Sequence, residues 1–219
     1  MKETSLALSL SLLAFVMTVI WGSPLIDLLK YFKVGKIIRE EGPARHIEKM
    51  GTPTMGGFMI IAPVLLLTVL LNAATLLGFD ILGQSVLIPL LVLVSFSLLG
   101  AVDDWEGIRG NRKGLGMRAR TKFLWQVALG LATAYALKYI VNVPEMYWPG
   151  YPEPLELGAW YIPLATVVIV GYSNAVNFTD GLDGLAGLIS ATAFVAYGAI
   201  ALMQGEVFLG RFCFTLVGA

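Results

Sequence analysis

The chain has 219 residues, of which 57% are hydrophobic and only 14% charged, with a mean hydropathy of +0.77. A soluble globular domain carries about 25% charged residues, so this composition excludes that class and predicts a polytopic membrane protein. Fifteen Lys and Arg balance 15 Asp and Glu, no nucleic-acid partner is expected, and the single cysteine, Cys213, excludes a disulfide framework or a Cys-based metal site.

Apolar runs long enough to cross roughly 30 Å of hydrocarbon predict helical spans near 5–29, 55–73, 85–102, 122–141, 160–174 and 184–203. The first is read as a retained span, because Trp21-Gly22-Ser23-Pro24 offers no small-residue cleavage site. A seventh apolar run starts at Phe208, and its twelve residues to Ala219 make only about 18 Å of helix. The expectation is an all-α transmembrane bundle, a single domain over 1–219, with six full spans, a partial seventh and a C-terminus cut in mid-span. No internal repeat or low-complexity tract divides the chain.

Lys and Arg in short loops stay preferentially on the cytoplasmic side. Six lie between Lys30 and Lys49 and six between Arg109 and Lys122, whereas there is none between Asn72 and Val86 or between Tyr139 and Trp160. With the N-terminus outside, loops 30–54, 102–121 and 174–184 are therefore expected on the cytoplasmic face. The loop from Val143 to Pro154, rich in Pro, Trp and Tyr, falls outside and reads as an interfacial anchor.

Each inner loop carries unusual chemistry. The first ends in Lys49-Met-Gly51-Thr52-Pro53-Thr54-Met-Gly56-Gly57. Its glycines permit close backbone approach, and its hydroxyls and lysine suit a phosphate or a nucleobase. The Gly-Lys-Ser/Thr ending of a Walker loop is missing. His46, the only histidine, supports neither a His-based metal site nor a Ser-His-Asp arrangement.

The second loop opens with Asp103-Asp104 at the end of the third span. Neighbouring helical positions point about 100° apart, so the two carboxylates are expected to do different jobs. Paired like charges at a membrane boundary lose hydration and repel, a cost that a cation relieves. Mg²⁺ suits the place, since it takes carboxylates together with substrate phosphates and keeps some of its waters. Lys122, at the start of the fourth span and at the same boundary as Asp103, is the expected phosphate contact.

In the third loop Asn177, Asp180 and Asp183 recur every three residues, one arc of about 120° on a helix. Gly181 and Gly184 weaken a regular helix there, so a broken helix lining a polar cavity is expected. The spacing does not match an EF-hand.

The strings Gly42-Pro-Ala-Arg-His-Ile-Glu-Lys49 through Gly57, Asp103-Asp104, Lys113-Gly-Leu through Gln126, and Asn177-Phe-Thr-Asp180-Gly-Leu-Asp183-Gly-Leu-Ala together resemble the phospho-N-acetylmuramoyl-pentapeptide-transferase family. That family belongs to the polyprenyl-phosphate N-acetylhexosamine-1-phosphate transferase superfamily. The resemblance covers essentially the whole chain and implies a bundle of about ten spans in the bacterial inner membrane. It implies Mg²⁺-dependent transfer of the phospho-sugar from UDP-N-acetylmuramoyl-pentapeptide to undecaprenyl phosphate, giving lipid I and UMP in peptidoglycan synthesis. By this resemblance Asp103, Asp104 and Asp180 are catalytic, with Asp103 at the lipid phosphate and Asp104 organising metal or Lys122. Lys49, Thr52, Thr54, Lys122, Asn177, Asp180, Gly181 and Asp183 bind substrate, and Asn177 and Asp104 are metal ligands. Its partners are those two substrates and the bilayer, and a homodimer is compatible with it. Family members add a further Asp loop and a His-rich loop not found in these 219 residues, so little activity is expected of the chain alone. Two other readings are a UDP-GlcNAc transferase of the same superfamily and a transporter gated by broken helices.

Overall fold

A computed structural model describes residues 2–32, 53–75, 84–109, 116–143, 145–148, 150–151, 153–181 and 184–219. Among the described residues seven α-helices follow the apolar runs: α1 (Lys2–Tyr31), α2 (Phe58–Thr75), α3 (Leu87–Arg109), α4 (Ala119–Tyr139), α5 (Tyr161–Thr179), α6 (Leu185–Met203) and α7 (Val207–Gly218). A helix keeps every backbone bond within its own segment, the solution that a hydrocarbon solvent demands. Glu3–Tyr31, Leu87–Arg109, Gly158–Thr179 and Leu185–Met203 are long and apolar enough to cross a membrane. The other two expected spans also fold as helices, but α2 has 18 residues and α4 carries Gln126 and Lys138 among its 21. The protein is a multi-pass membrane protein.

Two boundaries differ from the sequence expectation. α3 continues past the acidic pair to Arg109, and Arg109 closes over the Trp105 ring one turn back, 4.6 Å from its centroid. The break after the fifth span falls later than expected: α5 runs through Asn177 to Thr179, ends at Asp180, and α6 starts after Gly184 at φ +77°. That backbone state costs an L-residue roughly 1–2 kcal/mol, which glycine avoids. The Pro-rich loop between α4 and α5 holds a short antiparallel pairing of β1 (Glu145–Met146) with β2 (Leu155–Glu156) that the sequence pattern did not foretell. Glu145 sits opposite Glu156 there, and Tyr147 donates from its hydroxyl to Glu145 at 3.1 Å.

Large apolar side chains line the exterior; Leu12, Ile20, Leu91, Leu124, Val167 and Leu188 are all exposed. Facing lipid rather than water, such residues need no partner in the fold. What is buried sits at close helix contacts. Val64 of α2, Val86 before α3 and Phe212 of α7 form a small cluster. Gly130 lets α4 approach α5 so closely that an added Cβ would meet Thr166 Cγ2 at 3.2 Å and Val170 Cγ2 at 3.3 Å. Arg211 of α7, itself buried, pairs with Glu3 of α1. Cys213 is buried within α7, as its apolar surroundings predict.

Candidate functional site

The end of α3, the starts of α2 and α4, and the end of α5 meet at one end of the bundle. Consecutive residues on α3 send their carboxylates to two different neighbours, as the helical angle predicts. Asp103 turns to α4: its Oδ1 accepts the Met117 amide at 2.8 Å and its Oδ2 accepts the Lys122 ammonium at 2.8 Å. Asp104 turns to α2: its Oδ2 accepts the Met55 amide at 2.8 Å.

These contacts have local causes. The N-cap of α4, Arg118, provides no side-chain cap, and the first amides of a helix present partial positive charge. The Asp103 carboxylate, arriving from another helix, takes the amide one residue before that cap and the ammonium one turn inside it. Gly116 makes the approach feasible, at φ +66° and so close to Asp103 that an added Cβ would lie 2.7 Å from Oδ1 and 3.1 Å from the backbone oxygen. On the α2 side Met55 adopts φ +65° without being glycine, a strained state whose amide is held by Asp104. The Lys122 and Asp103 side chains keep 26% and 23% of their exposure, so the pair reaches solvent and its Coulomb energy is screened.

Between α2 and α3 lies a cavity of about 410 Å³. Its polar end is formed by Asp103, Asp104, Lys122 and Asn177, and its body by Phe58, Ile61, Leu65, Val94 and Leu98. From Asp104 back to Val94 is ten residues of α3, about 15 Å of helix, so a charged mouth continues into an apolar slot.

Four of the sequence-predicted site residues thus share one cavity. Lys122 lies on Asp103, and Asp104 accepts the Met55 amide at the start of α2. Thr54 buries its Oγ1 with no hydrogen-bond partner among the described residues. Asp180 is exposed at the C-cap of α5, and neither it nor the exposed Gly181 lines this cavity. Lys49, Thr52 and Asp183 lie outside the described residues.

Sequence reasoning gave no role to Met55, Gly116 or Gln126. Gln126 is 3% exposed in the middle of α4's contact with α5, and its Oε1 accepts the Asn174 amide at 3.0 Å. The available signal was a glutamine one helical turn after Lys122 in an apolar run.

Asp104 and Asn177 bring oxygen donors to this cavity, the hard donor type that Mg²⁺ takes alongside phosphate oxygens and retained water.

A helical membrane bundle with an acidic pair, a lysine and an amide gathered at one end of its helices defines a class of integral-membrane enzyme scaffold, and comparison with known families specifies it. The profile of glycosyl transferase family 4 matches residues 85–219, and the chain belongs to that family. Its similarity to curated proteins runs through the whole chain. It is 41% identical over 232 residues to the phospho-N-acetylmuramoyl-pentapeptide-transferase of Chloroflexus aurantiacus, covering all of this chain and 59% of that protein. It is 37% identical over 206 residues to the protein of the same name in Geobacillus thermodenitrificans, covering 94% of this chain and 62% of the relative. The corresponding protein of Halalkalibacterium halodurans is 37% identical over 219 residues, with 66% of its length covered. The chain thus spans about three fifths to two thirds of the length of these relatives.

Proposed function

We propose that this chain forms part of a phospho-N-acetylmuramoyl-pentapeptide transferase, working on undecaprenyl phosphate in the bacterial inner membrane with its acidic loops toward the cytoplasm. The cavity between α2 and α3 carries the reading: one end is charged and the remainder apolar, the profile of a lipid phosphate whose chain lies in the bilayer. The names of the relatives support phospho-N-acetylmuramoyl-pentapeptide as the transferred group.

In the reaction, an oxygen of the lipid phosphate attacks the β-phosphorus of UDP-N-acetylmuramoyl-pentapeptide. A new P–O bond forms, the bond from the β-phosphorus to the bridging oxygen breaks, and UMP leaves with that oxygen. A phosphate monoester has its second pKa at about 6, so the nucleophile is largely dianionic at neutral pH and needs little help from a base. The obstacle is charge, because two anions must approach. Lys122 offers a cation at the cavity mouth. Asp103 holds that ammonium at 2.8 Å and so fixes where the lipid phosphate meets it. Asp104 and Asn177 would hold Mg²⁺, which would supply electrostatic stabilisation of the developing phosphoryl charge. Asn177, on the last full turn of α5, presents its amide to the diphosphate. Thr54 brings a buried hydroxyl, without a hydrogen-bond partner among the described residues, beside the Met55 anchor, and by the family resemblance Lys49, Thr52, Asp180, Gly181 and Asp183 would bind the nucleotide.

The full-length protein in detergent, given undecaprenyl phosphate, Mg²⁺ and UDP-N-acetylmuramoyl-pentapeptide, is expected to release UMP and form a lipid-linked diphosphate. UDP-GlcNAc in place of the pentapeptide nucleotide is expected to give little product. Preferential use of UDP-GlcNAc would transfer the assignment to the other branch of the superfamily, and no UMP from either nucleotide would remove it.

A further inference from the structure

We propose that Gln126 is a positioning residue that sets Asn177 of α5 against Lys122 of α4, an inference that rests on the cavity mouth being the transferase site. Gln126 lies one turn after Lys122 on α4, while Asn174 lies one turn before Asn177 on α5. The Gln126 carboxamide joins the two helices at that level. Its Oε1 accepts from Asn174 Nδ2 at 3.0 Å, and its Nε2 donates to Ser173 Oγ at 3.3 Å. Asn174 Nδ2 also donates to Val170 O at 2.8 Å, so the amide that meets Gln126 is itself fixed to its own helix.

The location gives this network its consequence. Gln126 is 3% exposed, and one turn deeper Gly130 brings α4 against Thr166 and Val170 of α5. Apolar close packing fixes the distance between the helices but tolerates rotation and sliding. Directional hydrogen bonds do not. In hydrocarbon a released carboxamide finds no water, so the bonded register is the one that persists, even though a single interhelical bond contributes only about 0.6 kcal/mol on average. Lys122 and Asn177 both line the cavity but come from different helices, and no hydrogen bond joins their side chains among the described residues. Their alignment therefore passes through the Gln126 bridge one turn below.

The test combines activity with a readout independent of it. Gln126→Leu in the full-length protein is expected to lower UMP release by between about tenfold and about a hundredfold, the scale of a misplacement of up to 1 Å. Asn174→Ala, cutting the bridge from the other side, should reproduce the loss. In an Asn177→Ala background Gln126→Leu should cost less than about twofold more, since coupled residues are not additive. Equal losses in both backgrounds, or full activity of Gln126→Leu, would overturn the proposal. Reaction of a charged maleimide with Asn177→Cys should change several-fold when Gln126→Leu is added, while Tyr147→Cys in the loop between α4 and α5 labels at an unaltered rate. Unchanged labelling at 177 also overturns it. Should the unaltered protein release no UMP, the transferase reading fails while the labelling comparison still decides the bridge.

Discussion

Replacing Gly116 by alanine probes the site without touching a charged group. The added Cβ would stand 2.7 Å from Asp103 Oδ1, 3.1 Å from its backbone oxygen and 3.2 Å from Cγ. Oδ1 is the end of a side chain but is not loose, because it accepts the Met117 amide while Oδ2 holds Lys122; the backbone oxygen belongs to α3 and moves only with the helix. The left-handed φ of +66° adds roughly 1–2 kcal/mol for an L-residue. A displaced carboxylate forfeits a charge-assisted hydrogen bond of about 1.5–3 kcal/mol, taken at the lower end because Asp103 is partly exposed. Together these give about 3 kcal/mol, or about a hundredfold in rate if the whole cost falls on the site geometry. Gly107→Ala is the control, since its Cβ would meet Gly116 N at an ordinary 3.4 Å. Gly116→Asn separates the two terms, because Asn tolerates the left-handed region but keeps the contact. Thermal melting in detergent and UMP release, measured on the same preparations, provide the assay. If Gly116→Ala matches Gly107→Ala in both, Asp103 is not confined as described and its role as the organiser of Lys122 falls.

Lys122→Ala removes the cation of the cavity mouth and is expected to lower UMP release by at least about a hundredfold. Lys122→Arg should restore only part of it, since a planar fork cannot reproduce a point charge; complete restoration would mean that charge alone suffices. Gly130→Ala forces Thr166 and Val170 to shift by a few tenths of an ångström and should cost about 1 kcal/mol of stability. An unchanged melting midpoint would show the α4–α5 contact to be slack. Glu3→Gln removes one carboxylate that pairs with the buried Arg211 and should destabilise by about 1 kcal/mol, limited by the exposure of Glu3. Arg211→Met, which removes the buried charge itself, should cost less, and the reverse order would refute that account.

Hydropathy made the helices legible because lipid imposes one rule on every crossing segment, and so the starts and ends of α4 and α6 fall within a few residues of expectation. The divergent aims of Asp103 and Asp104 were legible too, from the helical angle alone. Their partners were not. Met55 and Gly116 come from segments whose conformation depends on positive φ and on a carboxylate delivered from another helix, which periodicity does not encode. The extent of α5 was misjudged because glycine at 181 and 184 marks a break without saying on which side of Asn177 it falls. The helix in fact persists until Asp180, and Gly184 takes the left-handed turn before α6. The β1–β2 pairing was hidden because two-residue strands in a Pro-rich loop have no alternation to read.

Carboxylates gathered for chemistry ordinarily burden a fold, and neutralising them in other proteins commonly raises stability at the expense of activity. Asp103 and Asp104 break that pattern. Each closes a joint between helices, one to the start of α4 and one to the start of α2, so neither can drift under selection for robustness alone. A lineage that lost the chemistry would also loosen its scaffold. A substitution that abolishes these hydrogen bonds would act on the scaffold as well as on any chemistry at either position.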